Sequence, residues 1–599
     1  MVKNYNNDDL LNKNVAEKYY LFIQVWRELT ERKTMDTYQY RIMNTLSIIR
    51  ELSRLIEIRL SQIVTNNFNI DECRNEAKGI VQRDMVLSHF YPSIYRRLLG
   101  HLNARIEKES DLRMMHYQIK YCYRNIEKDY IMHSVELLKD FIDQKEGLGV
   151  VKLANSLVSI CVDMGWSVQV LADMTSKLNN SMDNPDEKWD DFSKAITDQR
   201  VDRYIVYIPI KIHSSLITGT NKTLIYDDIS TYVSNVRDGQ DLNKIENYSI
   251  EFNKKEKYVA IEEDAYDYYT ASRKAIAKYA DMLNLMSFYG VVYPWSLSNL
   301  NWIVVNQNAK THKQLTIKSL YNVYDYIEGV AKLYKSAKEL ENGVNNGICK
   351  RLRAVYSYVN TGRASSSQEN QFINIWVALE SLCRTQMYSN IISNITETVP
   401  DALCIRYVYK LYRNFIEDCF RCNVNLQDFD IKKDNSQSKQ DKVRNIILTF
   451  KDDKKFNELC DKCGVNNLLR FRAEELHDLL DDKQKLYERI KKHHSNVKSQ
   501  LSRLYRLRNE IAHSAFLDLN NSNLIKMIEH LDDYLISFVS EVVRCASEYN
   551  DDSIEVEEVY EIMKNNYRDF LEITESKKKL NLDVMLNSLF ETGVISLIR

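Results

Sequence analysis

The residue types best suited to chemistry lie close together in the C-terminal third of the chain. Arg508, Asn509 and His513 place a permanent cation, an amide and a titratable imidazole within about one and a half turns of a predicted helix. The guanidinium group suits phosphate geometry and stays charged at any pH, whereas the imidazole can accept and return a proton near neutral pH. Such a set could cleave a phosphodiester bond without a metal ion.

Helical geometry does not place all three side chains on one face of the helix. Asn509 and His513 are four residues apart and share a face, whereas Arg508 lies roughly 140° around the axis from His513. Three arrangements would complete the set: the long arginine side chain swings across, the helix unwinds after Ala512, or a second subunit supplies its own residues across a symmetric dimer. The alternative interpretation is that Arg508 and His513 are ordinary surface residues, because this spacing often arises by chance.

The segment that leads into the motif is dense in positive charge. Glu488 is the only acidic residue among the cations Lys485, Arg489, Lys491, Lys492, Lys498, Arg503 and Arg506. The formal net charge of the whole chain is −2, which excludes a uniformly basic protein but leaves room for a local basic groove. His493 and His494 are expected on the same solvated face, before Ser495 caps the next helix.

The R-N-x3-H pattern at the end of a helix resembles the signature of HEPN-domain ribonucleases. An upstream helix with the sequence Phe372-Ile373-Asn374-Ile375-Trp376-Val377-Ala378-Leu379-Glu380-Ser381-Leu382 is similar to the first long helix of ApeA-type HEPN domains. The resemblance covers roughly residues 345–550. It implies a metal-independent endoribonuclease that forms a homodimer or a higher homo-oligomer and acts as an antiphage, abortive-infection or toxin–antitoxin effector.

The resemblance also implies roles for the motif residues. The RNA 2′-OH would attack the neighbouring phosphate, with His513 as general base or acid, Arg508 stabilising the transition state and Asn509 orienting the phosphate or the imidazole. The products would carry a 2′,3′-cyclic phosphate, and DNA would resist cleavage. RNA is then the expected substrate, with tRNA as the target that the family suggests, and a phage-derived trigger is an expected partner. The expected RNA-binding cations are Lys491, Lys492, Lys498, Arg503 and Arg506.

Glu380 stands inside an otherwise apolar helix whose buried side is expected to consist of Phe372, Ile375, Trp376, Leu379, Leu382 and Cys383. A buried charge without a partner is costly. Two interpretations stay open: Glu380 is an acid of the site near Arg508 or His513, or it is a structural partner of an arginine in the core.

Two C-x2-C pairs provide a second chemical pattern. Cys419 and Cys422 precede Asn423, and Cys460 and Cys463 precede Gly464, residue types that tolerate a left-handed backbone. Two such pairs suit a tetrahedral structural zinc ion held by tight knuckles, which would leave no open position for catalysis. The alternative is four unrelated thiols, two of them packed in helices.

Hydrophobic spacing predicts a mainly α protein. We expect a helical N-terminal region at 1–200, a small α+β unit at 201–345 that senses a trigger or binds substrate, a helical region at 346–550, and a tail at 551–599. The resemblance implies that 346–550 is a HEPN helical bundle, and the two C-x2-C pairs predict a zinc insertion in it at about 415–470. The middle unit is expected to contain strands near residues 203–213, 257–261 and 302–305 and a helix near 266–288, with Pro209 marking the first strand as an edge strand. A polar loop is expected at 361–367.

Composition restricts the class of protein. The chain has 599 residues, of which 44% are hydrophobic and 28% charged, so it can bury sizeable cores. Its polar start and the lack of a long uncharged apolar run predict a cytoplasmic protein without a membrane span. We expect Leu148–Met174 to form a buried helix pair, and the 11 cysteines to be thiols or metal ligands. No P-loop or H-E-x-x-H motif occurs.

A function from another class remains open. The chain could be a non-catalytic helical scaffold that uses a HEPN-like bundle for RNA binding or dimerisation. An intact Arg508–His513 pair distinguishes the two hypotheses, because a scaffold would not need it.

Overall fold

The computed structural model describes residues 7–30, 43–62, 67–198, 200–212, 236–245, 251–288, 295–297, 301–316, 346–365, 367–434, 436–464, 466–514, 523–549 and 554–575. Within these ranges the protein is mainly helical and has a small antiparallel sheet. Most of the helices lie before and after the sheet in the chain, in the order expected from the sequence.

The N-terminal region contains eleven described α-helices. They are α1 (Asn7–Asn12), α2 (Tyr20–Thr30), α3 (Thr45–Leu60), α4 (Phe68–Val81), α5 (Met85–Phe90), α6 (Pro92–Asn103), α7 (Glu109–Ile126), α8 (Tyr130–Asp143), α9 (Gly147–Met164), α10 (Val168–Met174) and α11 (Pro185–Thr197). The predicted helix pair is confirmed as α9 and α10. Gly165 separates them with a φ of +115°, a conformation that glycine adopts without a steric penalty.

The middle unit is built on one antiparallel sheet. Its elements are β1 (Asp202–Ile212), β2 (Val236–Asp238), α12 (Gly239–Ile245), β3 (Lys257–Ala265), α13 (Tyr268–Phe288), β4 (Trp295–Leu297), β5 (Trp302–Asn306) and β6 (Thr311–Leu315). The strand order is β2-β3-β1-β5-β6, and β4 also pairs with β1. The three predicted strands and the predicted helix are confirmed. Side chains at alternate positions of β1 enter two separate hydrophobic clusters, one on each face of the sheet.

Strand β1 is central, so the prediction that Pro209 marks an edge strand is wrong. One side of β1 pairs with β3 from Asp202 to Ile210, over most of its length. The other side pairs with β5 at Tyr204–Tyr207 and with β4 from Ile210 onward. Among the described pairs, Pro209 falls at the break between β5 and β4. Proline is tolerated where such a break leaves no ladder hydrogen bond to lose.

The C-terminal region contains ten described α-helices. They are α14 (Asn346–Ala364), α15 (Gln368–Cys383), α16 (Ile391–Ile405), α17 (Tyr407–Arg421), α18 (Lys439–Lys451), α19 (Asp453–Cys463), α20 (Asn467–Asp481), α21 (Lys483–Ser514), α22 (Asn523–Tyr549) and α23 (Val556–Glu575). Helix α14 extends into the loop expected at 361–367 and ends at Ala364. Part of the predicted tail forms α23, whose buried residues, such as Tyr560 and Met563, join the core.

Helix α21 begins earlier than the sequence suggested. Asp482 Oδ1 accepts hydrogen bonds from the backbone N–H groups of Gln484 at 2.9 Å and Lys485 at 3.2 Å, as an N-cap residue does. Ser495, expected to be a cap, lies exposed in the interior of this 32-residue helix. The buried residues recur at helical spacing along its whole length: Leu486, Ile490, Val497, Leu501, Leu504 and Leu507.

The N-terminal and C-terminal helices share one continuous hydrophobic core. A single cluster of buried residues includes Trp26 of α2, Leu157 of α9, Trp376 of α15 and Phe538 of α22. Helix α2 contacts α20, and α4 contacts α21. Helix α9 is long and apolar enough to cross a membrane by length and composition, with a mean hydropathy of 1.4. It packs against α2 and α8 with more than half of its residues buried, as a core helix does.

Buried ion pairs join α21 to the N-terminal helices. Arg503 pairs with Glu76 of α4, and Arg506 donates to Glu51 of α3 at 2.7 Å and to Glu76 at 3.2 Å. Both arginines and Glu76 are almost inaccessible to solvent. Helix α21 is therefore held on this side by charge compensation as well as by apolar packing.

Replacing Glu76 with Gln should lower the free energy of unfolding by about 3–5 kcal/mol, because it leaves Arg503 buried without its counter-charge. The matched control is Glu474→Gln, which breaks the exposed Arg470–Glu474 pair and should cost at most about 1 kcal/mol. Urea denaturation of both variants measures the difference. Equal effects of the two substitutions would contradict a stabilising role for the buried pair.

Candidate active site

Helices α15 and α21 bring the predicted site residues together. Ser367 caps α15 by accepting a hydrogen bond from the backbone N–H of Asn370. The predicted apolar side of α15 is confirmed, since all six of its expected residues are buried. This packing fixes the rotation of α15, so Glu380 faces the end of α21 where the motif lies.

The Arg508 guanidinium group lies between an acid and an amide. Its Nε is 3.7 Å from Glu380 Oε1, and its Nη1 donates to Asn509 Oδ1 at 3.1 Å. The Trp376 indole N–H donates to the same Glu380 oxygen at 2.5 Å, and the Trp376 ring packs against Tyr505. Glu380 is 12% exposed and Arg508 30% exposed. Arg508 is therefore held from one side while part of its side chain reaches solvent.

The backbone of α21 continues through the whole motif to Ser514. The expectation that the helix could unwind after Ala512 is therefore wrong. The side chain of His513 lies outside the described residues, but its place on the helix is four residues after Asn509 and on the same face. Because the Arg508 side chain bends to Asn509, it turns toward the face that His513 shares.

The motif is also anchored by its third residue. Glu510 Oε1 lies 2.5 Å from the Arg54 Nη2 atom of α3. Burial raises the pKa of Glu510, and the neighbouring Arg54 opposes this rise. Glu510 therefore connects the end of α21 to an N-terminal helix, while Arg508 contacts Glu380 of α15.

The five cations expected to bind RNA do not share one surface. Lys491 is exposed beside the Tyr487 ring, Lys492 is exposed, and the Lys498 ammonium pairs with Glu397 of α16 at 2.5 Å, each side chain being 40% exposed. Arg503 and Arg506 are buried against α3 and α4. For these two residues the expectation of a solvated basic face is wrong, because carboxylates from the N-terminal helices cover them.

The two adjacent histidines are not on a solvated face either. The His493 ring stacks on Tyr407 of α17 with centroids 3.8 Å apart, and His494 Nε2 lies 2.9 Å from Asp401 Oδ1. Burial, together with the nearby cations Lys410 and Arg489, lowers the pKa of His493 to about 3. His493 is consequently neutral at physiological pH and forms part of an internal wall.

The four candidate metal ligands are buried at the ends of two helices. Cys419 and Cys422 lie in and just after the last turn of α17, and Cys460 and Cys463 lie in the last turn of α19. Asn423 adopts the expected left-handed conformation with a φ of +58°, whereas Gly464 is right-handed with a φ of −56°. The second pair therefore does not form the expected knuckle.

The two cysteine pairs nevertheless meet. Burial raises the pKa of the Cys419 thiol, and a hydrogen bond with Cys463 raises it further. Among the described residues, no three histidine, cysteine or acidic side chains converge closely enough to hold a metal ion. The donor types fit zinc, but the placement of the thiols does not yet form a closed ligand set.

Two contributions to the site were absent from the sequence interpretation. Trp376 was expected only as a core residue. Its position four residues before Glu380 places both side chains on the same helical face, and this spacing could have indicated their contact. Arg54 of α3, which anchors Glu510, offered no signal, because it is distant in sequence from the motif. Both residues position the helices that present Arg508 and Asn509.

No family model matches this chain, and no curated protein and no solved structure is detectably similar to it. The resemblance to HEPN ribonucleases therefore depends on the motif residues and on the two helices that present them.

Proposed function

We propose that this protein is a metal-independent endoribonuclease of the HEPN type. The observation that supports the proposal best is the contact set of Arg508, which combines a partly exposed guanidinium group with Glu380 on one side and Asn509 on the other. Arginine that is positioned and still reachable can stabilise a phosphate whose charge increases in the transition state. His513, one turn beyond Asn509, would supply the proton transfer.

The proposed reaction uses the RNA itself as nucleophile. His513 removes the proton from the 2′-OH, the 2′ oxygen attacks the adjacent phosphorus, and the bond to the 5′ oxygen breaks. The leaving oxygen takes up a proton, and the product carries a 2′,3′-cyclic phosphate. Arg508 contacts the non-bridging phosphate oxygens, and Asn509 donates to the phosphate or orients the imidazole. A DNA strand has no 2′-OH and is not cut.

A homodimer would complete this site more fully than one chain. Arg508 and His513 project roughly 140° apart on an unbroken helix, so the swing of one side chain brings them only partly together. A symmetric partner would place two arginines and two histidines along one cleft. The N-terminal and middle regions would sense a trigger of phage origin, and cytoplasmic RNA would be the target in an abortive-infection response.

Replacing His513 with Ala should abolish RNA cleavage, with a loss of at least about 100-fold, since general acid–base catalysis contributes that much or more. The assay uses purified full-length protein in a buffer that contains EDTA. The substrates are a single-stranded RNA and a 2′-deoxy control strand, and mass spectrometry identifies the ends of the products. His89→Ala, at an exposed position of α5, is the matched control and should cleave normally. Cleavage by His513→Ala at the wild-type rate would refute the catalytic assignment and favour the scaffold hypothesis.

Glu380→Gln should lower kcat by about tenfold without changing the shape of the pH–rate profile. The glutamine oxygen can still accept from Trp376, but the charge that holds Arg508 is lost, and a displaced catalytic group costs rate. The measurement is a pH–rate profile for both proteins. Loss of one limb of the profile would instead show that Glu380 transfers a proton, and an unchanged rate would show that it serves only the fold.

Structural zinc is a separate proposal, supported by the contact between Cys419 and Cys463 that brings the two C-x2-C pairs side by side. Four thiolates around zinc would tie the end of α17 to the end of α19. Elemental analysis should find about one zinc per chain, and Cys463→Ser should lower both the zinc content and the melting temperature. The control is Cys122→Ser, which replaces a buried cysteine on α7 and should leave the zinc content of the protein unchanged. A metal-free protein of undiminished stability would contradict this proposal.

A further inference from the structure

A cavity of about 650 Å³ lies where the N-terminal helices meet the C-terminal bundle. Helices α2, α4 and α9 form one wall, and α17, α20 and α21 form the other. This volume is within the range of sites that enclose a small molecule or a cofactor, roughly 300–1,000 Å³. It opens between two regions that the shared core holds together, so its shape is set by tertiary packing.

The lining of the cavity has a strong excess of positive charge. Seven lysine and arginine residues and three glutamates line it, an excess of four positive charges. The three glutamates are already engaged by arginines of the same lining. Glu28 lies 3.6 Å from Arg472, Glu475 lies 3.3 Å from Arg489, and Glu76 pairs with Arg503. The lining as a whole therefore keeps an excess of four positive charges.

Lys410 shows the cost of this imbalance most clearly. Its ammonium is 3.5 Å from Ser537 Oγ and, among the described residues, has no carboxylate within 4.0 Å. Burial and the cations Arg406 and Arg413 lower the pKa of Lys410 to about 8, which the more distant Asp533 and Glu541 only partly oppose. A lysine kept in such surroundings is stabilised by an anion that binds beside it.

The cavity also presents donors suited to phosphate oxygens. The Arg503 Nε atom is buried and has no hydrogen-bond partner among the described residues. Amide and hydroxyl side chains at Asn414, Asn496 and Ser499 line the same space. Charge-assisted hydrogen bonds from such groups to phosphate are about twice as strong as neutral ones. A bound phosphate group would give the Arg503 Nε–H an acceptor.

One wall is aromatic. The stacked rings of Tyr407 and His493 are nearly parallel, with an interplanar angle of 6°, and Arg489 Nε donates to the Tyr407 hydroxyl at 2.9 Å. The imidazole of His493 is neutral, so this wall adds a flat surface without adding charge. A flat polarisable wall next to a cationic one suits a ligand that joins a planar ring to phosphate groups.

We propose that this cavity binds a small polyphosphate anion with about four negative charges, and that a nucleoside triphosphate is the ligand that uses both of its walls. The cations hold the phosphate groups, and the Tyr407–His493 wall lies beside the base. A phosphate group that also reaches Lys152 of α9, on the opposite side of the cavity, would tighten the attachment of the N-terminal helices to α21. The site is independent of the proposed ribonuclease activity, although Arg503 precedes Arg508 by only five residues on the same helix.

The test measures binding to the full-length protein in EDTA by calorimetry and by the shift in melting temperature. The probes are ATP, GTP and sodium tripolyphosphate. The double substitution Lys410→Gln and Lys492→Gln should weaken binding at least about tenfold, since a hydrogen bond to a charged group contributes that much or more. The matched control is Lys485→Gln, which changes an exposed lysine of α21 outside the cavity and should bind normally.

The protein without ligand provides a check on folding. Removing Lys410 from a group of cations should leave the melting temperature unchanged or raised. If the double variant melts earlier, Lys152→Gln on the exposed rim of the α9 wall replaces it and should also weaken binding. His513→Ala should bind the probes normally, so a failure of the ribonuclease proposal does not affect this measurement.

The outcomes separate the possible ligands. Tighter binding of ATP or GTP than of tripolyphosphate supports the site and assigns a role to the aromatic wall, and equal binding supports a site for the polyphosphate group alone. The absence of saturable binding at millimolar concentrations, or equal losses in Lys485→Gln and the double variant, would overturn the proposal. Binding of an RNA oligonucleotide without any binding of the three probes would also overturn it and assign the cavity to an RNA path.

Discussion

The compensation of buried arginines on α21 is the constraint on which the rest of the structure depends. Arg503 and Arg506 point away from solvent into the N-terminal helices, where Glu76 and Glu51 meet them. Buried charges are tolerated only with partners in good geometry, so these contacts specify one docking of α3 and α4 on the long helix. One turn later on α21, Glu510 adds a more exposed ion pair of the opposite polarity with Arg54 of α3.

As a result of this docking, different faces of α21 contact different parts of the protein. One face packs against the N-terminal helices through its buried arginines. Another meets α15, where Trp376 and Glu380 hold Arg508 next to Asn509. Helix α21 is unbroken from Lys483 to Ser514, so one continuous helix carries the docking contacts, part of the cavity lining and the motif. Rigid elements hold functional side chains more accurately than loops do.

The cavity results from incomplete charge balance along the same interface. Where carboxylates from α2, α4 and α20 reach the arginines, the interface is closed by ion pairs. Beside these pairs lies the cavity, which Lys410 also lines and where Arg503 Nε is buried without a hydrogen-bond partner among the described residues. Such a region costs free energy in the absence of an anion, and proteins often retain costs of this kind at functional sites.

Periodicity in the sequence was sufficient to predict a mainly helical chain, the three strands and helix of the middle unit, and the buried side of α15. It was sufficient because the spacing of apolar residues indicates which face of an element packs against a core. The same spacing could not show that Arg503 and Arg506 are interior, since their partners lie up to 455 positions away. It also could not show that β1 is central or that His493 lines a wall. Those outcomes depend on which elements meet in space, and a polar residue is buried only where tertiary structure supplies its counter-charge or its stacking partner.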